Sequence, residues 1–190
     1  KENDWATCLT VEELNKMWAP EAEGTVTSWS QIRAGFPDVP LDLYGAGTDS
    51  GTFDYFTKAI NGEEGASRTD YNPTEDDNVT VQGVEGAQGA LGYFGLSYYE
   101  ENMDKLIAVE IDGGAGCVAP SIETAQAGTY APLSRPLFIY VSNTAAQKPE
   151  VLAFAEFFVA NDEAITTKAL FVPLSPEQVT AAEAAVAGLK

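Results

Sequence analysis

Apolar residues along the chain fall into short runs that alternate with segments of helical spacing. Runs typical of buried strands lie at 41–44, 90–96, 106–111 and 136–141. Helical spacing or helix-start signals occur at 10–18, 53–60, 76–84, 97–103, 122–127, from 149 onward and at 176–189. Because strands alternate with helices, the pattern predicts an α/β fold with a mixed, largely parallel sheet.

A capping box marks the start of the first helix. The side chain of Thr10 can accept a hydrogen bond from the backbone N–H of Glu13, whose carboxylate can reach back to the N–H of Thr10. Pro20 cannot continue a helix. The sequence therefore predicts a helix from Thr10 to about Trp18.

A turn rich in glycine and hydroxyl groups, GAGTDSGT at 45–52, joins the strand at 41–44 to the helix at 53–60. At a helix start, unpaired backbone N–H groups and hydroxyls can hold an oxyanion without much positive charge. Gly51 lets the backbone approach a ligand, and the hydroxyls of Ser50 and Thr52 can donate to it. We predict an oxyanion site at Ser50, Gly51 and Thr52; the alternative is that Ser50 or Thr52 only caps the helix.

The spacing of residues excludes several other binding and catalytic motifs, three of them at this turn and one at Asp70. No lysine follows Gly51, as a P-loop requires, and the third glycine of a dinucleotide-binding turn would fall on Ser50. Thr48 stands where a nucleophile elbow has its first glycine. A calcium loop starting at Asp70 would have Val81 at its last position, where the bidentate glutamate belongs.

Arg68 is one of three arginines and lies in the polar segment SRTD at 67–70. The fork of an arginine side chain matches the oxygens of a tetrahedral oxyanion. We therefore predict Arg68 as the cationic contact of the anion. The alternative is an ordinary surface arginine.

Acidic residues dominate the charge, with 29 Asp and Glu against 10 Lys and Arg and a formal net charge of −19. Most of these carboxylates are expected to form a solvated surface. Nucleic acids and anionic membranes are not expected as partners, because they are bound by Lys and Arg clusters. Any anion must be held by local hydrogen bonds against the overall field.

The chain contains no histidine, which excludes a Ser-His-Asp triad, a Cys-His pair and a histidine metal ligand. No cofactor and no metal site is expected. Its two cysteines, Cys8 and Cys117, do not form a C-x-x-C pair. We favour a long-range disulfide in an exported protein; two buried free thiols are the alternative.

The segment GAGTDSGTFDYF at 45–56 resembles the signature of the phosphate-binding proteins of bacterial phosphate ABC importers, which have the type II periplasmic-binding-protein fold. The resemblance continues in order along the whole chain, through LTVEEL at 9–14, SRTDY at 67–71, EDDNV at 75–79, GALGYF at 89–94 and LSRPLFIY at 133–140. An arginine that many members carry just before the Ser-Gly-Thr turn is missing here. Arg68 is the candidate for its role, ahead of Arg135.

The resemblance implies a lobed protein that closes on phosphate. Residues 1–8 would be a lead-in, 9–133 the second lobe, and 134–190 a returning strand and the C-terminal helices of an incomplete first lobe. Family members carry a further N-terminal segment that supplies the opposite wall of the cleft, including an acidic acceptor. Because the sequence starts at Lys1 without methionine, we interpret it as a mature form or an internal fragment.

The function implied by the resemblance is not enzymatic. The chain would carry half of the cleft of a periplasmic or extracellular receptor that captures inorganic phosphate for an ABC permease, and it would be a monomer. One alternative is a secreted structural or adhesive domain that has lost transport. A second is a phosphate-handling enzyme, for which the sequence offers no nucleophile or metal centre.

Overall fold

Two sets of short strands organise the first part of the chain. The strands are β1 (Cys8–Thr10), β2 (Asp42–Ala46), β3 (Asn72–Thr74), β4 (Ala90–Gly92), β5 (Glu110–Asp112) and β6 (Cys117–Val118). The helices between and after them are α1 (Val11–Trp18), α2 (Gly51–Asn61), α3 (Asp77–Gly86), α4 (Leu96–Glu100) and α5 (Ile122–Gln126). The computed structural model describes residues 3–189 and divides between Ser134 and Arg135 into two units, which are described separately.

Both sheets of the first unit have three strands. One has the order β3-β2-β4 with all strands parallel, and Ala46 pairs with Thr74 in its register. The other has the order β1-β5-β6, where β1 and β5 are parallel and β5 and β6 are antiparallel. The predicted α/β class with mixed, largely parallel sheets is confirmed.

An aromatic cluster around Trp18 forms the centre of the first unit. Trp18 is 1% exposed, and its ring meets Phe56 of α2, Tyr71 and Tyr93 edge-on, with centroids 4.9 to 5.5 Å apart. Phe56 and Tyr93 are stacked with their centroids 3.9 Å apart. Burying such rings stabilises a fold because apolar area is removed from water and because edge-on and offset-stacked ring pairs attract each other. The cluster therefore fixes α2 against α1 and the sheet.

The Cys8–Cys117 disulfide is present, as predicted, and joins residues 109 positions apart. Cys8 lies in β1 and Cys117 in β6, the two outer strands of their sheet. The bond therefore connects both edges of the sheet across β5.

The second unit is helical in residues 135–189, with α6 (Pro149–Ala160), α7 (Asp162–Lys168) and α8 (Pro176–Ala187). A capping box at Ser175 and Gln178 starts α8. The buried Asp162 accepts a hydrogen bond from the backbone N–H of Leu174 at 2.8 Å. None of the helices in residues 3–189 is long and apolar enough to span a membrane.

The strand predicted at 136–141 is wrong. No strand occurs within residues 135–189, and this segment is irregular. Its apolar side chains are exposed, from 58% for Leu137 to 89% for Tyr140. A strand needs a neighbouring strand to satisfy its backbone groups, and no sheet is described in this unit. An apolar run in the sequence indicates that a segment tends to be buried, but it does not show whether a neighbouring strand is present to pair with it.

Candidate functional site

The glycine turn lies at the carboxyl edge of the β3-β2-β4 sheet. β2 ends at Ala46, and the next N–H, that of Gly47, donates to the carbonyl of Thr74 at 3.0 Å. The N–H of Ser50 then donates to the carbonyl of Gly47 at 3.1 Å, which closes the turn. Ligands of open parallel sheets bind at this edge. The turn lies between a strand and a helix, as predicted, and at the edge of the sheet where such ligand sites occur.

The predicted donors Ser50, Gly51 and Thr52 are consecutive at the start of α2. Ser50 is the N-cap, and its Oγ accepts from the N–H of Thr52 at 3.1 Å. The capping alternative is thus observed, but it does not consume the hydroxyl hydrogen, because a serine Oγ can accept and donate at the same time. Gly51 and Thr52 are exposed and Ser50 is half-buried, so all three can be reached from solvent.

Packing and side-chain bonds hold α2 behind these donors. Phe53, Phe56 and Ile60 are each 5% exposed, and the hydroxyl of the buried Thr57 donates to the carbonyl of Phe53 at 2.8 Å. The hydroxyl of Tyr55 lies within hydrogen-bonding distance of the carbonyls of Pro132, at 2.6 Å, and Ser134, at 3.2 Å. Buried contacts and hydrogen bonds therefore support the helix start from behind.

Arg68 is buried, with 4% exposure, and is surrounded by protein acceptors. Its Nη1 donates to the carbonyls of Met17, at 3.1 Å, and Val26, at 2.9 Å, while Nε and Nη2 donate to the carboxylate of Asp70. Four of its five N–H groups are used in this way. Arg68 holds the pKa of Asp70 down to about 2, through this hydrogen bond above all. These bonds favour a structural role, and the predicted anion contact of Arg68 stays a prediction.

A cavity of about 530 Å³ lies between the glycine turn and the segment at 65–75. Tyr71 lines it and donates from its hydroxyl to the carbonyl of Ala46 at 2.8 Å. Burial, and after it the negative charge of Glu75, raises the pKa of Tyr71, so the phenol stays protonated at neutral pH. The remaining lining residues are Gly47, Thr48, Phe53, Gly65, Ser67, Arg68, Thr69, Pro73, Thr74 and Glu75.

The acidic segment at 75–77 contacts both the start of α3 and the glycine turn. Asp76 caps α3 by accepting from the N–H of Asn78 at 3.0 Å, as expected for charge at a helix start. Glu75 instead lies over the glycine turn, where its Oε1 accepts from the N–H of Asp49 at 3.4 Å. Sequence reasoning missed this contact. The available signal was that Glu75 directly follows a strand beside β2.

Comparison with known proteins shows the family of the chain. The family model described as a PBP superfamily domain matches residues 1–162. The chain belongs to the PBP superfamily.

Several named proteins are similar to the chain. Protein SphX of Synechocystis sp. is 52% identical over 176 residues, which covers 92% of this chain and 52% of that protein. Phosphate-binding protein PstS of Staphylococcus haemolyticus is 31% identical and is covered to 54%. The crystal structure of a possible phosphate-binding protein from Planctomyces limnophilus superposes with a TM-score of 0.90 at 43% identity, over 98% of this chain and 66% of that one. The chain thus spans about half the length of the curated relatives it matches.

Proposed function

We propose that this chain carries half of the binding cleft of a phosphate receptor that serves an ABC importer. The observation that carries the proposal is the solvent-accessible run Ser50, Gly51 and Thr52 at the start of α2, at the carboxyl edge of a parallel sheet. Support comes from the relatives, since PstS is named a phosphate-binding protein and the Planctomyces protein a possible one. In this proposal the chain is not an enzyme.

The donors suit phosphate despite the net charge of −19. Hydrogen bonds to a charged group contribute roughly 1.5–3 kcal/mol each, whereas charges more than about 10 Å apart on a solvated surface are largely screened by salt. The hydroxyls of Ser50 and Thr52, at the start of α2, would both donate to one phosphate. Arg68 supports the site in this proposal, since most of its donors are already engaged by Asp70 and two carbonyls.

We further propose that residues 1–8 are a lead-in, 9–133 form one lobe and 134–190 contribute to the other. The second unit exposes many large apolar side chains for its 56 residues. Such a surface is typical of an interface rather than of a finished exterior. In the proposal, a segment of the kind that completes the longer relatives covers it. The exposed apolar residues are Leu137, Phe138, Ile139, Tyr140, Phe154, Phe157 and Phe171.

The proposed location is outside the cytoplasm, in the periplasm or at the cell surface. Structural disulfides persist in oxidising compartments, and the Cys8–Cys117 bond fits that environment. The proposed partners are inorganic phosphate and the permease of the importer, with the receptor acting as a monomer.

The test is a titration of the ¹⁵N-labelled chain with phosphate, followed by NMR. We expect saturable shifts of the amide signals of Ser50, Gly51 and Thr52, with weaker binding of sulfate and none of chloride. Thr52→Val, which removes a hydroxyl and keeps the shape, should lower phosphate affinity about tenfold. Thr27→Val, at an exposed threonine away from the turn, is the control. Equal responses to phosphate and chloride would contradict the proposal.

A further inference from the structure

Gly47 and Glu75 are the first residues after the paired parts of β2 and β3. The register pairs Ala46 with Thr74, and the bond from the N–H of Gly47 to the carbonyl of Thr74 extends the pairing by one step. Both residues therefore leave the sheet at the same edge, side by side. Glu75 is the carboxylate among the residues that line the 530 Å³ cavity at this edge.

The carboxylate of Glu75 occupies the space that a side chain at position 47 would need. A Cβ atom built on Gly47 would lie 2.0 Å from Oε1 and 2.8 Å from Cδ of Glu75. Real Cβ atoms do not approach other atoms so closely, so the carboxylate could not stay in place beside an alanine. The backbone of Gly47 itself does not have a positive φ angle. The backbone conformation thus admits other residues at position 47, but any side chain there would displace the carboxylate of Glu75.

The same carboxylate accepts from the N–H of Asp49, two residues further along the turn. The N–H groups of Gly47 and Ser50 have backbone carbonyl partners, at Thr74 and Gly47. Glu75 therefore supplies the side-chain bond that ties the middle of the turn to β3. The residue that follows Asp49 is Ser50, the first of the proposed phosphate donors.

We propose that Glu75 is a positioning residue of the oxyanion site, which acts through Gly47 and Asp49 to hold the glycine turn in the shape that presents Ser50, Gly51 and Thr52. The inference rests on the proposed function. It requires an acceptor oxygen at position 75 and does not require its negative charge. It also makes Gly47 and Glu75 one functional pair.

Three single variants and one double variant test the pair. Glu75→Ala removes the acceptor, Gly47→Ala displaces it, and Glu75→Gln keeps an acceptor oxygen without charge. We expect Glu75→Ala and Gly47→Ala each to weaken phosphate binding about fivefold and to speed hydrogen exchange of the Asp49 amide. Glu75→Gln should stay within about twofold of the unchanged chain. The double variant combines Gly47→Ala with Glu75→Ala. It should bind phosphate as well as Glu75→Ala alone, because the methyl group introduced at position 47 then meets no carboxylate.

The outcomes separate this inference from the proposed function. If the unchanged chain shows no phosphate-dependent shifts, the proposed function fails and the inference with it. If it binds phosphate but Glu75→Ala binds equally well, or if Asp49 exchange is unchanged, only the inference fails. Glu75→Gln as weak as Glu75→Ala would also overturn it. Additive losses in the double variant would contradict the pairing of Gly47 with Glu75.

Discussion

Arg68 and Asp70 form a two-bond ion pair, in which Nη2 donates to Oδ2 at 2.8 Å and Nε donates to Oδ1 at 2.5 Å. The side chain of Arg68 is 5% exposed and that of Asp70 is 37% exposed. The pair therefore has a buried cation and a partly solvated anion. Removing the carboxylate of Asp70 is costly because the guanidinium of Arg68 would remain buried without its charged partner.

We expect Asp70→Asn to lower the free energy of unfolding by about 2 kcal/mol, less than for a fully buried pair because Asp70 is partly solvated. The measurement is urea unfolding at neutral pH. Asp104→Asn, at an exposed aspartate, is the matched control and should change little. An Asp70→Asn variant as stable as this control would show that Arg68 does not depend on the carboxylate.

The same pair should make stability depend on pH. Arg68 lowers the pKa of Asp70 from 3.8 to about 2 in the folded chain, so its contribution is present above about pH 4 and is lost as the pH falls toward 2. The difference in unfolding free energy between the unchanged chain and Asp70→Asn should shrink over this interval. Urea unfolding at a series of pH values measures it. A difference that stays constant from pH 6 to pH 2 would contradict this expectation.

The disulfide should be a large contributor to stability. Cys8 and Cys117 close a loop of about a hundred residues, for which the chain-entropy account gives about 4 to 5 kcal/mol. The double substitution of both cysteines by serine should lower the free energy of unfolding by about this amount. Reduction of the unchanged chain serves as an independent comparison. An unfolding midpoint that is the same with and without reductant would be evidence against this role.

The apolar surface of the second unit should bind hydrophobic probes. Phe138 is 69% exposed and Phe154 is 63% exposed. We expect Phe138→Ser and Phe154→Ser together to lower the fluorescence of bound anilinonaphthalene sulfonate by about half, because the probe binds exposed apolar side chains. Ile107→Ser, at a residue of the first unit that is 42% exposed, is the control. Equal losses in control and double variant would argue against a localised surface.

Local signals in the sequence were enough to predict several elements. The capping box of Thr10 and Glu13 is present, with the two bonds at 3.2 and 3.0 Å, and α1 ends at Trp18 as predicted. The helix after the glycine turn ends at a glycine with left-handed geometry, Gly62. These features depend on residues three or four positions apart. They are therefore visible without knowledge of the fold.

Contacts between distant residues could not be predicted in the same way. Arg68 reaches the carbonyl of Met17, 51 positions away, so nothing near it in the sequence indicates that it is buried. The contact of Glu75 with Gly47 depends on the register of β2 and β3. The segment at 136–141 has the composition of a strand but no described strand to pair with. In each case the missing information was the identity of a partner.

The side chain of Tyr55 contacts the segment at which the first unit ends. It lies one turn into α2, and its hydroxyl is within hydrogen-bonding distance of the carbonyls of Pro132 and Ser134, which lie just before the division of the chain. The point at which the polypeptide leaves this unit is thus anchored to the helix that carries the proposed phosphate donors. A spectroscopic label at this exit would therefore report on the same unit that carries the proposed oxyanion site.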